Sequence, residues 1–416
     1  MHSQKIAVVG AGPAGLMAAI RAAELQQEVI LIEKNSSPGK KLLLSGKGRC
    51  NLTNACDLDY FLARFWSGGQ FLRDAFKKFF HPQLMSFFQE RGLKLKIERQ
   101  FRVFPESDRA AAVLEVLEKE LVKNKVTRIY KTALKDIFLQ QNKIKGLLLS
   151  DGKVMPVDKL ILATGGLSYS FTGSSGEGLA LAKKLRHSIV DFRPGLVPLE
   201  VRQPYLPKLE GLTLKNIRLK FSHAGKQLDS EIGELLFTSF GVSGPLVLSF
   251  SGQVADWLKS GESVAVEIDL KPALSCEQLS ARLLREFQSA PKKSIRNILK
   301  NLLPQKLIDL FIVLIKLDPK KNASQFTQKE RRDLISLLKS WRLDIIRTRP
   351  LEEAMVTRGG VSLKEVDPRT MESRLIQGLY FAGEILDIDA DTGGFNLQAA
   401  FSTGYLAGES AALSDN

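Results

Sequence analysis

Apolar and polar positions fall into blocks whose period changes along the chain. Ile6 to Val9 is a short apolar run ending in glycine, Ala14 to Leu25 has helical composition, and Val29 to Ile32 is a second apolar run. Strand, glycine turn, helix, strand makes a βαβ unit, which requires a parallel sheet with a right-handed crossover. The pattern then predicts an aromatic-rich helix over Leu72 to Arg91 and another over Arg109 to Asn124. Paired strands follow over Arg128 to Leu149, turning near Gln141 to Lys143. Leu160 to Ala163 reads as a strand running into Thr164, Gly165 and Gly166, and a helix follows Gly173 to Gly178 and reaches about Arg186.

The texture changes at Arg193. From there to Leu270, short strands and turn residues dominate, among them Pro194, Pro198, Pro204, Pro207 and Gly211, which predicts a small β-barrel or sandwich. From Ser275 to Trp341 the pattern is helical and basic, with breaks at Pro291 and Pro304. An apolar strand returns at Leu379 to Ala382, followed by a glycine turn and a final helix. The fold class is therefore α/β, with a nucleotide domain split over 1–192 and 342–416. A β-barrel insert over 193–272 and a basic helical insert over 273–341 lie between its halves.

Composition narrows the class. A chain of 416 residues is too long for one ordinary core. No stretch reaches the roughly 18 apolar residues of a membrane helix. The chain enters a strand by Lys5, which leaves no room for a signal peptide. Cys50, Cys56 and Cys276 have no CxxC spacing and no nearby histidine, so neither a metal site nor a disulfide framework is expected, and a reducing cytoplasm fits. The net charge is +15, and its location matters more than its size. Between Lys271 and Arg349 there are 18 Lys and Arg against 7 Asp and Glu, an excess of +11. A polyanion partner is one reading; a solvated helical face is the other.

Four motifs carry chemistry. Gly10-Ala11-Gly12-Pro13-Ala14-Gly15 fits GxGxxG, follows a strand and opens a helix. The first glycine permits a tight turn, the second lets the backbone approach a pyrophosphate, and the third lets helix and strand pack closely. Glu33, at the end of the next strand, suits ribose hydroxyls. Leu160 to Gly166 offers a second close approach, which after a GxGxxG unit points to FAD more than NAD. Gly378-Leu379-Tyr380-Phe381-Ala382-Gly383-Glu384 places a carboxylate where ribitol hydroxyls could be held. Thr392-Gly393-Gly394-Phe395-Asn396-Leu397-Gln398 then opens a helix whose N-terminal dipole would face the pyrimidine edge of a flavin. The fourth is Gly39 to Asn54, with Lys41, Ser45-Gly46-Lys47-Gly48-Arg49-Cys50-Asn51; its pattern alone does not separate a cofactor loop from a flexible basic one.

Together, the Lys41 to Asn51 run, the Ala163-Thr164-Gly165-Gly166 turn, and Ala382-Gly383-Glu384 with Thr392 to Asn396 resemble the bacterial BaiN/RdsA-type flavoproteins. These are also called NAD(P)/FAD-dependent or aminoacetone-oxidase-like oxidoreductases. The resemblance covers essentially the whole chain. It implies a glutathione-reductase-like FAD-binding Rossmann domain interrupted by a β-barrel and a helical domain. It also implies FAD contacts at Gly10, Gly12, Gly15, Glu33, Lys34, Lys41, Gly48, Asn51, Gly165, Gly383, Glu384, Gly394, Phe395 and Asn396, with an adenine main-chain contact at Ala133. Where relatives often carry a glycine, this chain has Lys47.

The resemblance further implies reduction of an activated carbon–carbon double bond, either in a bile-acid intermediate or in uridine of large-subunit ribosomal RNA. In both, hydride reaches the β carbon of an enone-like system. The basic segment favours RNA. The rival readings are a small-molecule enone reductase, a flavin amine oxidase and a flavin-bearing RNA-binding factor without turnover. No second GxGxxG unit is present, so NAD(P)H is expected only as a transient electron donor. His2, His81, His187 and His223 are scattered. Cys50 in the flavin loop and Tyr169 after the second glycine turn are the candidate catalytic groups, each with a packing role as its alternative.

Overall fold

The computed structural model describes residues 4–261 and 263–414. The chain divides into two compact units, one running up to Gly195 and resuming at Pro350, the other Leu196–Arg349. Each has its own hydrophobic core.

In the first unit, β1 (Lys5–Val9), β2 (Glu28–Ile32), β3 (Thr127–Ile129), β4 (Lys159–Leu162) and β5 (Leu379–Phe381) form a sheet ordered β5-β4-β1-β2-β3. Every pairing is parallel. A parallel sheet is covered on both faces, so its strands read as unbroken apolar runs; Ile6, Leu31, Ile32, Leu160, Ile161 and Leu162 are fully buried. Helix α1 (Pro13–Glu24) follows β1, and Pro13 starts it where the missing N–H costs nothing. The last helix, α2 (Phe395–Leu413), packs on α1 with backbones nearly touching. A Cβ added to Gly404 would lie 2.2 Å from the Ala14 carbonyl oxygen, and one added to Gly408 would lie 2.4 Å from that of Ala18.

The helix expected over Leu72 to Arg91 is two, Arg73–Lys78 and His81–Glu90. Pro82 lacks the N–H a continuous helix needs, and so it sits in the first turn of a new one.

The second unit is built on a seven-stranded antiparallel sheet. Strand Thr213–His223 pairs with both Gly233–Phe237 and Val264–Asp269, so six strands close into a barrel, and Lys226–Asp229 adds a hairpin arm. Two features depart from the sequence expectation. The stretch 193–270 holds a 15-residue helix, Pro245–Lys259, set off by Gly244 and Pro245. The barrel also needs Trp341–Thr348, which pairs with Val264–Asp269 and with Leu199–Val201. Residues 342–349, expected in the nucleotide domain, therefore belong to the barrel. The helices Cys276–Ser289, Ile295–Leu299, Gln305–Leu314 and Gln328–Lys339 are inserted between two neighbouring barrel strands. They share its core, with Phe311 edge-on to Trp341 at 5.3 Å. Barrel and helices form one body because the amphipathic helices turn their apolar faces into that shared core.

The strand Ile189–Gly195 runs antiparallel to Val356–Val361, with Gly195 opposite Val356. The chain thus leaves the first unit and returns to it at nearly one place. Replacing Leu196–Arg349 with a short Gly/Ser linker should give a soluble core that still binds FAD and has lost its catalytic activity. Gel filtration with flavin absorbance and circular dichroism checks this; an insoluble or flavin-free product would show that the second unit completes the core.

Candidate functional site

The parallel sheet brings three glycine turns to one edge, at the carboxyl ends of β1, β4 and β5, where open α/β sheets bind their ligands. The turns touch. A Cβ on Gly10 would lie 2.4 Å from the Ala163 carbonyl oxygen, one on Gly15 would lie 1.8 Å from that of Gly10, and one on Gly383 would meet the Ala14 methyl at 2.8 Å. Gly12 differs: a Cβ there would meet nothing within 4 Å. Gly12 caps α1 without any side-chain bond to the helix N–H groups, so the cradle faces open space, as a pyrophosphate requires.

Glu33 stands at the end of β2, nearly buried. Its Oε2 accepts the Ala11 N–H at 2.7 Å, and its Oε1 accepts the main-chain and side-chain N–H of Asn35 at 2.8 and 2.7 Å. The carboxylate braces the glycine turn, and of about four acceptor positions it keeps one for a hydroxyl.

Glu384 is held in the same manner. Lys41 Nζ approaches its Oε2 at 2.5 Å, while the Thr357 N–H and the Ser168 hydroxyl donate to Oε1 at 2.7 and 3.0 Å. Ser168 also accepts from Lys41 at 2.7 Å. Ser168 and Thr357 belong to no motif visible in the sequence; only the fold shows that they carry this carboxylate.

At the last turn, Gly394 has φ +100° and caps α2, and a Cβ there would lie 2.5 Å from the Thr53 carbonyl group. Only glycine fits both demands. The N-terminus of α2 therefore presents its free N–H groups beside Thr53. Two expected contacts change character. Phe395 is buried, edge-on to Phe61 at 4.7 Å, so it offers a ligand only its main chain. The Asn396 side chain bonds both main-chain groups of Ala390, at 3.0 and 2.9 Å, and clips the turn instead of reaching outward.

The other candidates sort by what already engages them. Lys34 bonds Ser175 and pairs with Glu177 at 3.1 Å. Ala133 donates its N–H to Ser150 Oγ and accepts from the Ser150 N–H, so its main chain has little left for an adenine. Gly48, with nothing within 4 Å of a Cβ, lies in a loop where Gly46, Lys47 and Gly48 all have positive φ. Lys47 is exposed to solvent. Cys50 is fully buried and its thiol is pushed up to about 12 by that burial, which favours packing and disfavours the thiolate a nucleophile needs. Tyr169 follows Ser168 and precedes Thr172, whose carbonyl accepts from Asn35 at 3.0 Å. Burial raises its phenol, which stays protonated at neutral pH.

Three polar atoms on or beside these loops are buried without a partner: Asn51 Oδ1, Thr164 Oγ1 and the Tyr130 hydroxyl. Each such group costs about 1–3 kcal/mol if left dry. A dinucleotide's hydroxyls and phosphates match these acceptors and donors, and the open cradle at Gly12 admits the pyrophosphate. The residues present fit FAD.

This arrangement defines an oxidoreductase with a Rossmann-type FAD-binding domain. The chain belongs to the HI0933-like protein Rossmann domain family, which it matches over residues 4–410. It is 34% identical over 411 residues to the 3-dehydro-bile acid delta(4,6)-reductase of Clostridium scindens, covering 98% of this chain and 99% of that protein. It is 30% identical over 404 residues to the ribosomal RNA dihydrouridine synthase of Escherichia coli, covering 97% and 96%. In fold it is similar to 3-ketosteroid delta1-dehydrogenase from Sterolibacterium denitrificans, with a TM-score of 0.56 at 13% identity over the full length of both chains.

Two glycines should separate folding from cofactor binding. Gly12→Val should leave the apoprotein's thermal midpoint unchanged and abolish FAD uptake, because its side chain enters only the cradle. Gly15→Val should lower stability by about 3 kcal/mol or more, since its side chain meets the Gly10 backbone. Thermal unfolding and flavin titration of both variants check this.

The thiols give a second expectation. Burial places Cys56 at about 11, and Cys276 is exposed. At pH 7 a disulfide reagent should label Cys276 alone in the folded protein and all three cysteines after unfolding. Fast labelling of Cys50 would restore it as a reactive group.

Proposed function

We propose that this protein reduces an activated carbon–carbon double bond, and that its substrate is uridine in large-subunit ribosomal RNA, converted to dihydrouridine. Two relatives, from Escherichia coli and Haemophilus influenzae, are ribosomal RNA dihydrouridine synthases. The bile-acid relative is also a reductase of double bonds. FAD, when bound, supplies the hydride chemistry, with NAD(P)H as a transient donor. Uracil suits it because its C5–C6 bond is conjugated to the C4 carbonyl.

The observation that carries the RNA reading is in the second unit. Sequence places two basic clusters about thirty residues apart; main-chain pairing joins them. Ile295 N–H donates to the Lys321 carbonyl and Ala323 N–H to the Lys293 carbonyl, both at 3.0 Å, around the bridge between Ser294 and Asn322. Lys292, Lys293 and Lys320 are exposed on these two segments. Not every basic residue is available: Arg296 pairs with Asp309 at 2.7 Å and Lys321 with Glu330 at 2.6 Å. A gathered set of exposed lysines, beyond those neutralised locally, is the electrostatic footprint of a phosphate-binding surface.

Nucleoside mass spectrometry of ribosomal RNA with and without the gene is the direct test, and loss of one dihydrouridine is expected. RNA affinity should fall with salt at a log–log slope of about −0.7 to −0.9 per phosphate contact. Charge reversal at Lys292, Lys293 and Lys320 should remove most of that slope and leave the flavin spectrum unchanged. Unaltered dihydrouridine content with absent or salt-insensitive RNA binding would reject the proposal in favour of a small-molecule enone reductase.

A further inference from the structure

The turn before α2 carries a rim of exposed aromatic rings. On one side is a hairpin formed by Leu95–Ile97 and Arg102–Pro105. At its tip Gln100 and Phe101 have φ +60° and +57°. That conformation is strained for a bulky L-residue, and Phe101 is still 58% exposed. The strain is held in place: Phe101 O accepts the Ala55 N–H at 2.8 Å, and Gln100 O accepts from Asn54 Nδ2 at 3.0 Å. The same Asn54 amide donates to the Gly393 carbonyl at 3.1 Å, which ties the tip to the glycine pair at the helix N-terminus.

On the other side, the Trp66 indole N–H donates to Asp391 at 2.9 Å, and Arg64 pairs with Asp391 at 3.6 Å. The Arg64 guanidinium lies over the Tyr60 ring, 4.1 Å from its centroid. Trp66 and Tyr60 are 42% and 40% exposed. Exposed aromatics scattered singly are ordinary. Here Trp66 bonds Asp391 directly, Tyr60 reaches it through Arg64, and the turn at Gln100 and Phe101 reaches Gly393 through Asn54.

We propose that this rim binds the unstacked nucleotides flanking the target base, with Phe101 and Trp66 as stacking platforms and the exposed Arg99 beside them for phosphate. The proposal rests on the RNA reading and names where that RNA is gripped. Proteins that recognise RNA loops stack splayed bases on aromatic faces, and a target base must leave its own stack to be modified. Stacking tolerates every base because each has a π-face, and it selects single strands over duplex.

The test uses the FAD-loaded protein and two RNAs of equal length, a hairpin with a uridine-containing loop and a perfect duplex. Wild type should prefer the hairpin. Phe101→Ala and Trp66→Ala should each weaken hairpin binding about ten-fold or more, leave duplex binding and the flavin spectrum unchanged, and so erase the preference. Phe101→Trp should restore it, which guards against a variant that merely folds poorly. If wild type prefers the hairpin and both alanine variants keep that preference, the rim is not the nucleotide site. If wild type binds neither RNA, the rim and the RNA reading fall together. If a planar steroid enone binds instead, and more weakly in the same variants, the nucleotide assignment is overturned.

Discussion

The contact between the first and last helices is the constraint on which the cofactor site depends. Gly404 and Gly408 of α2 lie so close to the Ala14 and Ala18 carbonyls of α1 that any side chain would collide with main chain. Backbone does not move aside as a flexible side chain can, so the crossing is fixed to within a fraction of an ångström. Because the Gly393-Gly394 turn immediately precedes α2, the same contact sets where that turn faces the GxGxxG loop. Thr403 adds to this by accepting the Gly383 N–H at 2.9 Å. Two ends of the chain, separated by nearly four hundred residues, are thereby made into one cradle.

The carboxylates follow a common logic. Glu33 and Glu384 stand at strand ends, mostly withdrawn from water, and each is held by three or more donors. A buried carboxylate is tolerable only when hydrogen bonds replace its hydration, and the donors also fix its direction. Around Glu384 those donors come from Lys41, Ser168 and Thr357, segments remote in sequence. The acid therefore joins the helix Lys40–Leu44, the second glycine turn and the strand Val356–Val361. Its removal would release these segments from one another as well as alter any ribitol contact.

The sequence reveals most of the nucleotide fold because its signals are local. Glycines at fixed offsets, apolar runs of strand length and an acid after the second strand each reflect a constraint acting within a few residues. What it hides is carried by pairing at long range. Trp341–Thr348 looks like the start of the returning nucleotide domain until its barrel partners are known. The helix Pro245–Lys259 is obscured by the strands around it. Ser168, Thr357 and Asn54 are polar residues without a motif, and their roles appear only when the fold brings partners to them. The reverse holds for Asn396, Phe395 and Ala133, whose motif positions do not reveal their contacts within the protein. The Asn396 side chain bonds Ala390, the Phe395 ring packs on Phe61, and the Ala133 main chain bonds Ser150. Cys50 follows the same rule, since a cysteine in a cofactor loop is reactive only when the loop leaves it in water.

The division between cofactor and substrate duties also follows from where the constraints lie. The contacts that build the cradle are backbone against backbone, through Gly10, Gly15, Gly394, Gly404 and Gly408, and they allow almost no change. The surfaces left free to vary are exposed side chains: lysines in the turns between the inserted helices, and rings tied to the last glycine turn. Relatives about 30% identical over their full length include a bile-acid reductase and two RNA-modifying enzymes. A scaffold with a rigid cofactor cradle and permissive outer surfaces accounts for such divergence without altering the redox chemistry. On the proposed RNA reading, long-range charge and short-range stacking would do different work. Counterion release gives affinity for any polyanion and weakens as salt rises, whereas ring stacking is nearly indifferent to salt and requires bases already unstacked. A lysine surface alone would hold RNA without presenting a uracil, and aromatic rings alone would meet too few loops to capture one. Recognition of one base in a folded RNA needs both terms, and this chain carries a candidate for each.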